Sequence, residues 1–267
     1  LKEIVKNHDA IIHLACISND PSFDLNPELG RSINFDPFEE LIKISKDSQV
    51  KRFIYASSSS VYGIKNEKDV SEDMSLEPLT DYSKYKAMCE EILLKNNTKE
   101  FTCCILRPAT CCGFSDRLRL DLVVNILTNY AFNKKVIKVF GGEQMRPNVN
   151  IKDMCNAYLD LLEQDSKKIS GQIFNVGYEN LPVKEIALKV KKVIGKNTEI
   201  ITEKTDDNRS YHISSKKIQD MLNFEYKYDL EEAINSLKSA FQENKIKDSF
   251  SDAKYFNIVR MKELNLK

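Results

Sequence analysis

The chain has 267 residues, with 40 basic side chains against 40 acidic ones and 42% hydrophobic residues. That length buries a large core, as one big domain or two modest ones, and the balanced charge creates no long-range field to draw nucleic acid or an anionic membrane. No apolar run approaches the ~20 residues needed to span a bilayer, and the opening LKEIVKNHDA lacks the pattern of a signal peptide, so a soluble, cytoplasmic protein is expected. Seven cysteines include the adjacent pairs Cys103/Cys104 and Cys111/Cys112, and the three histidines, His8, His13 and His212, are scattered. Neither arrangement has metal-ligand spacing. Reduced thiols and no metal site are expected.

In chain order, LKEIVKNHDA reads as part of a helix that runs straight into a strand, AIIHLAC at 10–16. A helix over roughly 31–48 follows, then a strand, RFIYASS at 52–58, a polar SSSSVYG stretch, and a helix opening with TDYSKYKAMCEEILL at 80–94. Ala87, Ile92, Leu93 and Leu94 supply the apolar side of that helix, and Asp81, Glu90 and Glu91 the polar side. TCCILRPA at 102–109 and QIFNVG at 172–177 complete a set of four apolar runs. Their continuous apolarity implies burial on both faces, and strands alternating with helices imply βαβ units, so an α/β fold with a doubly wound parallel sheet is predicted. From residue 114 the pattern loosens. A helix in DLVVNILTNYAFNKK precedes IKVFGGEQMRPNVNI, a turn flanked by short strands; then come a helix near 183–194, a strand TEIITE, a polar loop through TDDNRSYHIS, and helices near 214–222 and 229–243. The last stretch, from about residue 248, is polar and is expected to pack loosely. The expected division is a sheet domain of 1–113, to which 143–177 and 218–240 return, and a smaller substrate-binding lobe of 114–142, 178–217 and 241–267.

In such sheets ligands bind beyond the carboxyl ends of the strands. Here those ends run into SNDPS, SSSSVYG and TCCGFSDR. Four serines after a strand also suit a plain turn. Tyr82 and Lys86, four residues apart, share a helix face, and an ammonium beside a phenol favours phenolate, lowering its pKa from ~10. The same Tyr-x-x-x-Lys spacing recurs at Tyr130 and Lys134, so spacing alone marks nothing. What distinguishes Tyr82 is the strand-end hydroxyl of Ser58 upstream. Ser58 can hydrogen-bond a reacting oxygen, Tyr82 can exchange its proton, and Lys86 can tune the phenol.

The ordered series IIHLA, SINFDPF, RFIYASSSSVYG, YSKYK, LRPATCCG, GGEQMRPNVNIKDM, FNVGYENL and DDNRSYHISSKKI resembles, over nearly the whole chain, the extended short-chain dehydrogenase/reductase family in its NAD-dependent nucleotide-sugar epimerase and dehydratase branch. The resemblance implies a Rossmann-type domain with a substrate lobe, NAD as cofactor, a nucleotide-sugar as substrate, and a homodimer formed through the 31–48 and Tyr82 helices. Residue by residue, it implies that Leu14 and Ala15 lie against the dinucleotide, that Asn34 holds a helix near it, and that Ser57 and Pro108 flank the nicotinamide. Ser58 and Tyr82 match the catalytic hydroxyl and base, and Lys86 the lysine that also grips the nicotinamide ribose. Thr110, Asp121, Leu122, Arg146 and Arg209 fall on the substrate side, with the two arginines on the pyrophosphate, where guanidinium forks suit phosphate oxygens. Alternatively, Arg146 pairs with Asp153, and Arg209 with Asp206 or Asp207.

Departures from the family narrow the chemistry. Ser59 and Ser60 stand where the sugar 4,6-dehydratases carry Asp and Glu, which disfavours dehydration. After the Tyr82 helix no histidine occurs until His212, which disfavours the epimerase-reductases that need an added Cys and His pair. Asp121 replaces a usual Asn and would repel a substrate phosphate unless Arg117 or Arg119 offsets it. The expected activity is epimerisation, at C4 of the sugar, by oxidation and re-reduction. The alternatives are a 4-dehydrogenase that stops at the ketone and a non-catalytic binding protein of the same fold. The family's glycine-rich turn and the acidic residue after its second strand do not occur in the chain, so a sequence short of about 60 N-terminal residues and three strands is expected, and NAD cannot be told from NADP on the residues present.

Overall fold

The computed structural model describes residues 1–65, 67–205, 210 and 212–266. The first half contains α1 (Lys2–Val5), β1 (Ala10–His13), α2 (Asp20–Phe23), α3 (Pro27–Asn34), α4 (Phe38–Asp47), β2 (Arg52–Ala56), a 3₁₀ turn (Ser59–Tyr62), α5 (Asp81–Lys95), β3 (Thr102–Pro108) and β4 (Thr110–Cys112). There follow α6 (Val123–Lys134), β5 (Val136–Phe140), β6 (Met145–Asn150), α7 (Ile151–Glu163), α8 (Ser166–Ile169), β7 (Gln172–Val176), β8 (Glu179–Pro182), α9 (Val183–Ile194) and β9 (Glu199–Glu203). The chain closes with α10 (Lys216–Leu222), α11 (Leu230–Gln242), a 3₁₀ turn (Ala253–Tyr255) and α12 (Asn257–Glu263).

The four apolar runs form one parallel sheet in the order β1-β2-β3-β7, with Ile11 beside Phe53, Phe53 beside Cys103 and Cys104 beside Gln172. Side chains alternate across a strand, so each run serves two cores. Phe53, Tyr55, Cys103 and Ile105 pack with Phe38, Ile42, Cys89 and Leu93 of α4 and α5. Ile54, Cys104, Leu106 and Phe174 turn to the opposite face and pack with Met154, Ala157, Leu161, Ile218 and Leu222 of α7 and α10. Helices on both faces are why these strands carry no polar alternation.

The looser half builds two small sheets. β4 pairs parallel with β6, which pairs antiparallel with β8, and β5 pairs parallel with β9. The two strands that flank the Gly141-Gly142 turn thus belong to different sheets. Val124, Leu127 and Ala131 of α6, Ile186, Ala187 and Val190 of α9, and Ala233 and Ile234 of α11 close a separate core over β5. α11 therefore lies on α6 and α9, whereas α10 lies on β7.

Two expectations are corrected. The single helix over 31–48 is two, because Asn26 and Pro27 start α3 early and Phe35-Asp36-Pro37 break the path before α4; a residue preceding proline avoids the α region. The C-terminal stretch is ordered against the body. Tyr255 and Met261 are buried, Leu120 N–H bonds the Tyr255 carbonyl at 2.9 Å, and α12 packs on α2. The buried residues of that stretch, Ser249, Ala253, Tyr255 and Met261, are too irregularly spaced and too mixed in polarity to give a periodic apolar signal.

Candidate active site

The site lies at the carboxyl edge of the parallel sheet, where β1, β2 and β3 release their chains. Thr80 caps α5 by accepting from Ser83 N–H, within a capping box, and donates its hydroxyl to Asp20 at 2.6 Å. The helix start is thereby tied to the loop after β1. From that start, Tyr82, Lys86 and Glu90 follow at intervals of four on one face, and all three are buried.

Ser58 caps the 3₁₀ turn after β2, its Oγ accepting from Ser60 N–H and lying 2.8 Å from Ser60 Oγ. Gly63 closes that turn at φ +69°, where a Cβ would sit 2.1 Å from the Glu77 carbonyl oxygen. Lys86 donates to the Ala56 carbonyl at 2.6 Å and sits over the rings of Tyr55 and Tyr82 at 4.8 and 5.8 Å from their centroids. A carbonyl and two ring faces are what a buried ammonium requires.

The Tyr82 phenol behaves differently from the expectation. Burial raises its pKa well above the ordinary value, the nearby Cys16 adds to the rise, and a hydrogen bond with Ser58 and the positive Arg119 act in the other direction. The expected lowering by Lys86 is overridden because loss of hydration penalises phenolate more than the neighbouring charges favour it.

A cavity of about 370 Å³ opens over these groups, lined by Ser57, Ser58, Tyr82, Pro108, Thr110 and Leu122 among others, with Arg119 on its wall. A second, of about 470 Å³, is lined by Asp121, Tyr130, Lys138, Phe140, Gln144 and Arg146. Leu122 lines the first cavity and its neighbour Asp121 the second. Tyr130, the chance repeat of the tyrosine-lysine spacing, lies in the second cavity, while Lys134 sits over the Phe250 ring. Leu14 and Ala15 stand exposed beyond β1. Asn34 is set behind them, accepting from Ile17 N–H at 2.8 Å and donating to the Ile17 carbonyl at 2.9 Å, so both ends of its amide shape that loop. Arg209, Asp206 and Asp207 lie outside the described residues. Asp153 accepts from the backbone of Lys227 and Tyr228.

Arg107, Tyr62 and Asn175 behind the site went unnoticed in the sequence. Ser57 lines the cavity, but its hydroxyl donates to the Glu90 carboxylate, which pairs with Arg107 at 2.6 Å. Arg107 also donates to the Tyr62 hydroxyl at 2.8 Å, and that hydroxyl donates to Asn175 Oδ1 at 2.8 Å. Glu90 thus belongs to the buried side of α5, not to its polar side. Tyr85 is no free surface residue either, since its ring packs 5.7 Å from Phe23 and 5.1 Å from Phe35, whereas Lys84 is exposed beside Asp81. The offset required by Asp121 comes from Arg119 at 2.9 Å. All seven cysteines are free. Among the described residues no helix is long and apolar enough to cross a membrane, and no group of three or more His, Cys, Asp or Glu side chains is placed to hold a metal ion.

Known proteins share this architecture. The UDP-glucose 4-epimerase of Thermotoga maritima superposes with a TM-score of 0.81 at 22% identity, over 92% of this chain and 82% of that one. The UDP-glucuronic acid 4-epimerase of Bacillus cereus gives 0.80 at 24% identity, over 91% and 78%. In sequence, the UDP-glucose 4-epimerase of Lactobacillus helveticus is 27% identical over 204 residues, which is 68% of this chain and 61% of that protein. The low-salt glycan biosynthesis protein Agl12 of Haloferax volcanii is 23% identical over 88% of this chain and 76% of its own length. The description "NAD dependent epimerase/dehydratase family" belongs to a model that matches residues 1–177, and with two thirds of the residues so matched, the chain belongs to that family.

Proposed function

We propose that the protein is an NAD-dependent nucleotide-sugar epimerase that oxidises a sugar hydroxyl, at C4, and reduces the resulting ketone from its other face. The observation that carries this reading is the meeting of the Ser58 and Tyr82 hydroxyls in one cavity at the sheet edge, next to a second cavity that holds Arg146. The first cavity, with Thr110 and Leu122, takes the sugar, and the second, with Asp121, takes the nucleotide, with Arg146 on the pyrophosphate. The names of the similar proteins support the same substrate class.

The residues present fit NAD. Leu14 and Ala15 are exposed beyond β1 and Pro108 and Tyr82 line the cavity, groups that would suit a flat ring and a ribose hydroxyl, while Lys86 lies buried behind Tyr82 on the Ala56 carbonyl. NAD, when bound, supplies a hydride acceptor and a positive charge. The protein's own part is proton transfer. Ser58 hydrogen-bonds the sugar oxygen, Tyr82 takes its proton on oxidation and returns it on reduction, and Lys86 keeps the phenol and the Ala56 carbonyl in place.

The test incubates the full-length protein with NAD and UDP-, GDP-, CDP- and dTDP-sugars. Epimer should form without lasting accumulation of NADH; NADH that accumulates without epimer would identify a dehydrogenase instead. Tyr82→Phe should lower turnover by about 10²–10⁴-fold with NAD binding retained. Because burial holds the Tyr82 proton, wild-type turnover should climb with pH through the alkaline range, and the residual activity of the variant should lack that limb. Full activity in Tyr82→Phe would end the mechanism.

A further inference from the structure

Among the described residues, Asp20 is the one carboxylate that lines the cavity over Ser58 and Tyr82, and it takes no part in the proton transfer derived above. It follows a corner in the chain. Asn19 holds φ +71° and ψ 156°, a region nearly confined to glycine, and such backbone persists where its surroundings impose it. Asn19 Oδ1 accepts from Ser22 N–H at 3.0 Å and fixes the start of α2. Phe23, at the end of α2, is fully buried and sets its ring 6.4 Å from that of Tyr82. Gly30 leaves room for it, since a Cβ there would lie 2.6 Å from the Phe23 ring. Held from both sides, the corner delivers Asp20 to the start of α5.

There the carboxylate decides how one hydroxyl is used. Thr80 Oγ1 has a single proton and gives it to Asp20 Oδ1 at 2.6 Å. Its lone pairs are thereby turned to Ser83, whose N–H it accepts at 3.3 Å and whose Oγ lies 2.9 Å away. Thr80 N–H in turn donates to Ser83 Oγ at 3.1 Å. With no acceptor at Asp20, the Thr80 proton can rotate towards Ser83 Oγ, and the cap loses its fixed direction. Tyr82 sits within this capped turn, so its phenol takes its place from the cap. The charge reaches the same phenol through space. Burial is the main cause that keeps Tyr82 protonated and Cys16 the next; Asp20 adds to both, against the Ser58 hydrogen bond and Arg119. Lys86 of α5, Tyr55 of β2 and Tyr158 of α7 also border it.

We infer that Asp20 is a positioning residue for proton transfer, one that fixes the Tyr82 phenol through the Thr80 cap and opposes a second negative charge beside it. The inference rests on the proton-transfer reading above. It assigns the place of the phenol to the hydroxyl link and the readiness of the phenol to ionise to the carboxylate charge, so the two can be separated by substitution.

The experiment compares full-length wild type with Asp20→Asn, Asp20→Ala, Thr80→Val, Thr80→Ser and the Asp20→Ala/Thr80→Val double variant. Hydrogen exchange at the amides of residues 81–84 is read without substrate, and kcat and KM are read against pH with NAD and whichever UDP-, GDP-, CDP- or dTDP-sugar the wild type converts. Circular dichroism and calorimetric NAD binding check the fold. Thr80→Val and Asp20→Ala should each speed exchange at Ser83 about tenfold, as loss of a cap does. Each should lower kcat about ten- to a hundredfold through misplacement of the phenol, with KM within about twofold. Thr80→Ser, which keeps the hydroxyl, should recover most of that kcat. The double variant should match Asp20→Ala, because both changes break one link. Asp20→Asn keeps an acceptor for Thr80 and removes the charge, so the phenol ionises more readily and the alkaline limb of kcat should move down by about 0.5–1 pH unit. An unmoved limb in Asp20→Asn, unchanged exchange and kcat in Thr80→Val, losses that multiply in the double variant, or a raised KM at wild-type kcat in Asp20→Ala would overturn the inference while the epimerase reading stood. A wild-type protein that neither binds nor converts any of the four classes of nucleotide-sugar would overturn both.

Discussion

His13 shows how one side chain at a strand end acquires properties its sequence context does not announce. It closes β1, its ring stacks on Tyr55 at 5.9 Å and meets Phe38 at 5.5 Å, and burial together with the nearby Lys86 ammonium lowers its pKa to about 4. The folded protein therefore keeps this imidazole neutral where an unfolded chain would protonate it. Below pH ~6.5 the unfolded state binds the extra proton, so the contribution is complete above that value and is lost as the pH falls towards 4. The full effect is at most about 3 kcal/mol. Denaturant titrations at a series of pH values should show stability falling across that interval, and His13→Phe, which keeps a ring in the same cluster, should flatten the fall. An acid limb that is unchanged in His13→Phe would assign it to other groups.

At the scale of elements, the 3₁₀ turn after β2 and helix α5 together set the distance between Ser58 and Tyr82. Gly63 makes the turn possible, since its φ of +69° and its 2.1 Å approach to the Glu77 carbonyl exclude a side chain. Gly63→Ala should cost at least about 1–3 kcal/mol in denaturant unfolding and should lower turnover in whatever fraction remains folded; a fully stable, fully active variant would show that the turn can relax. The glycine was visible in the sequence, but its contact with Glu77 was not, because that approach depends on the path of the 64–80 loop. The same contrast runs through the fold. Four continuous apolar runs were enough to foresee the parallel sheet, since burial on two faces leaves a local signature. Serine, tyrosine and lysine at a strand end and a helix start were enough to suggest the proton-transfer groups. Glu90 was misplaced because a carboxylate looks solvent-facing until its partner is known, and Arg107 sits on a different element. Asp20 and Thr80 meet across 60 residues of sequence, so no short window contains both.

Across the whole molecule, the Glu90 and Arg107 pair links the parts that carry the site. It joins α5 to β3, reaches the turn through Tyr62, and reaches β7 through Asn175. Removing one member leaves the other charged and buried without its partner, so Glu90→Leu should destabilise by about 3–5 kcal/mol, whereas replacing both, as Glu90→Leu with Arg107→Met, should cost less than the sum of the two single changes. Equilibrium unfolding of the four proteins checks this; additive losses would mean that the pair is not coupled. As a proposal, the lobes divide where the cores divide, with the parallel sheet and its helices in one and α6, α9 and α11 with β5 and β9 in the other. The network also gives a meaning to the neighbouring serines. Ser57 faces down to Glu90 and Ser58 faces up to the cavity, as consecutive residues of an extended chain must. Adding or deleting one residue between Ala56 and Ser58 would interchange the two hydroxyls, handing the buried carboxylate's partner to the substrate and the substrate's partner to the carboxylate. Divergence at this site can therefore proceed by exchanging side chains at positions such as 59 and 60, but not by changing the length of the strand that leads to them.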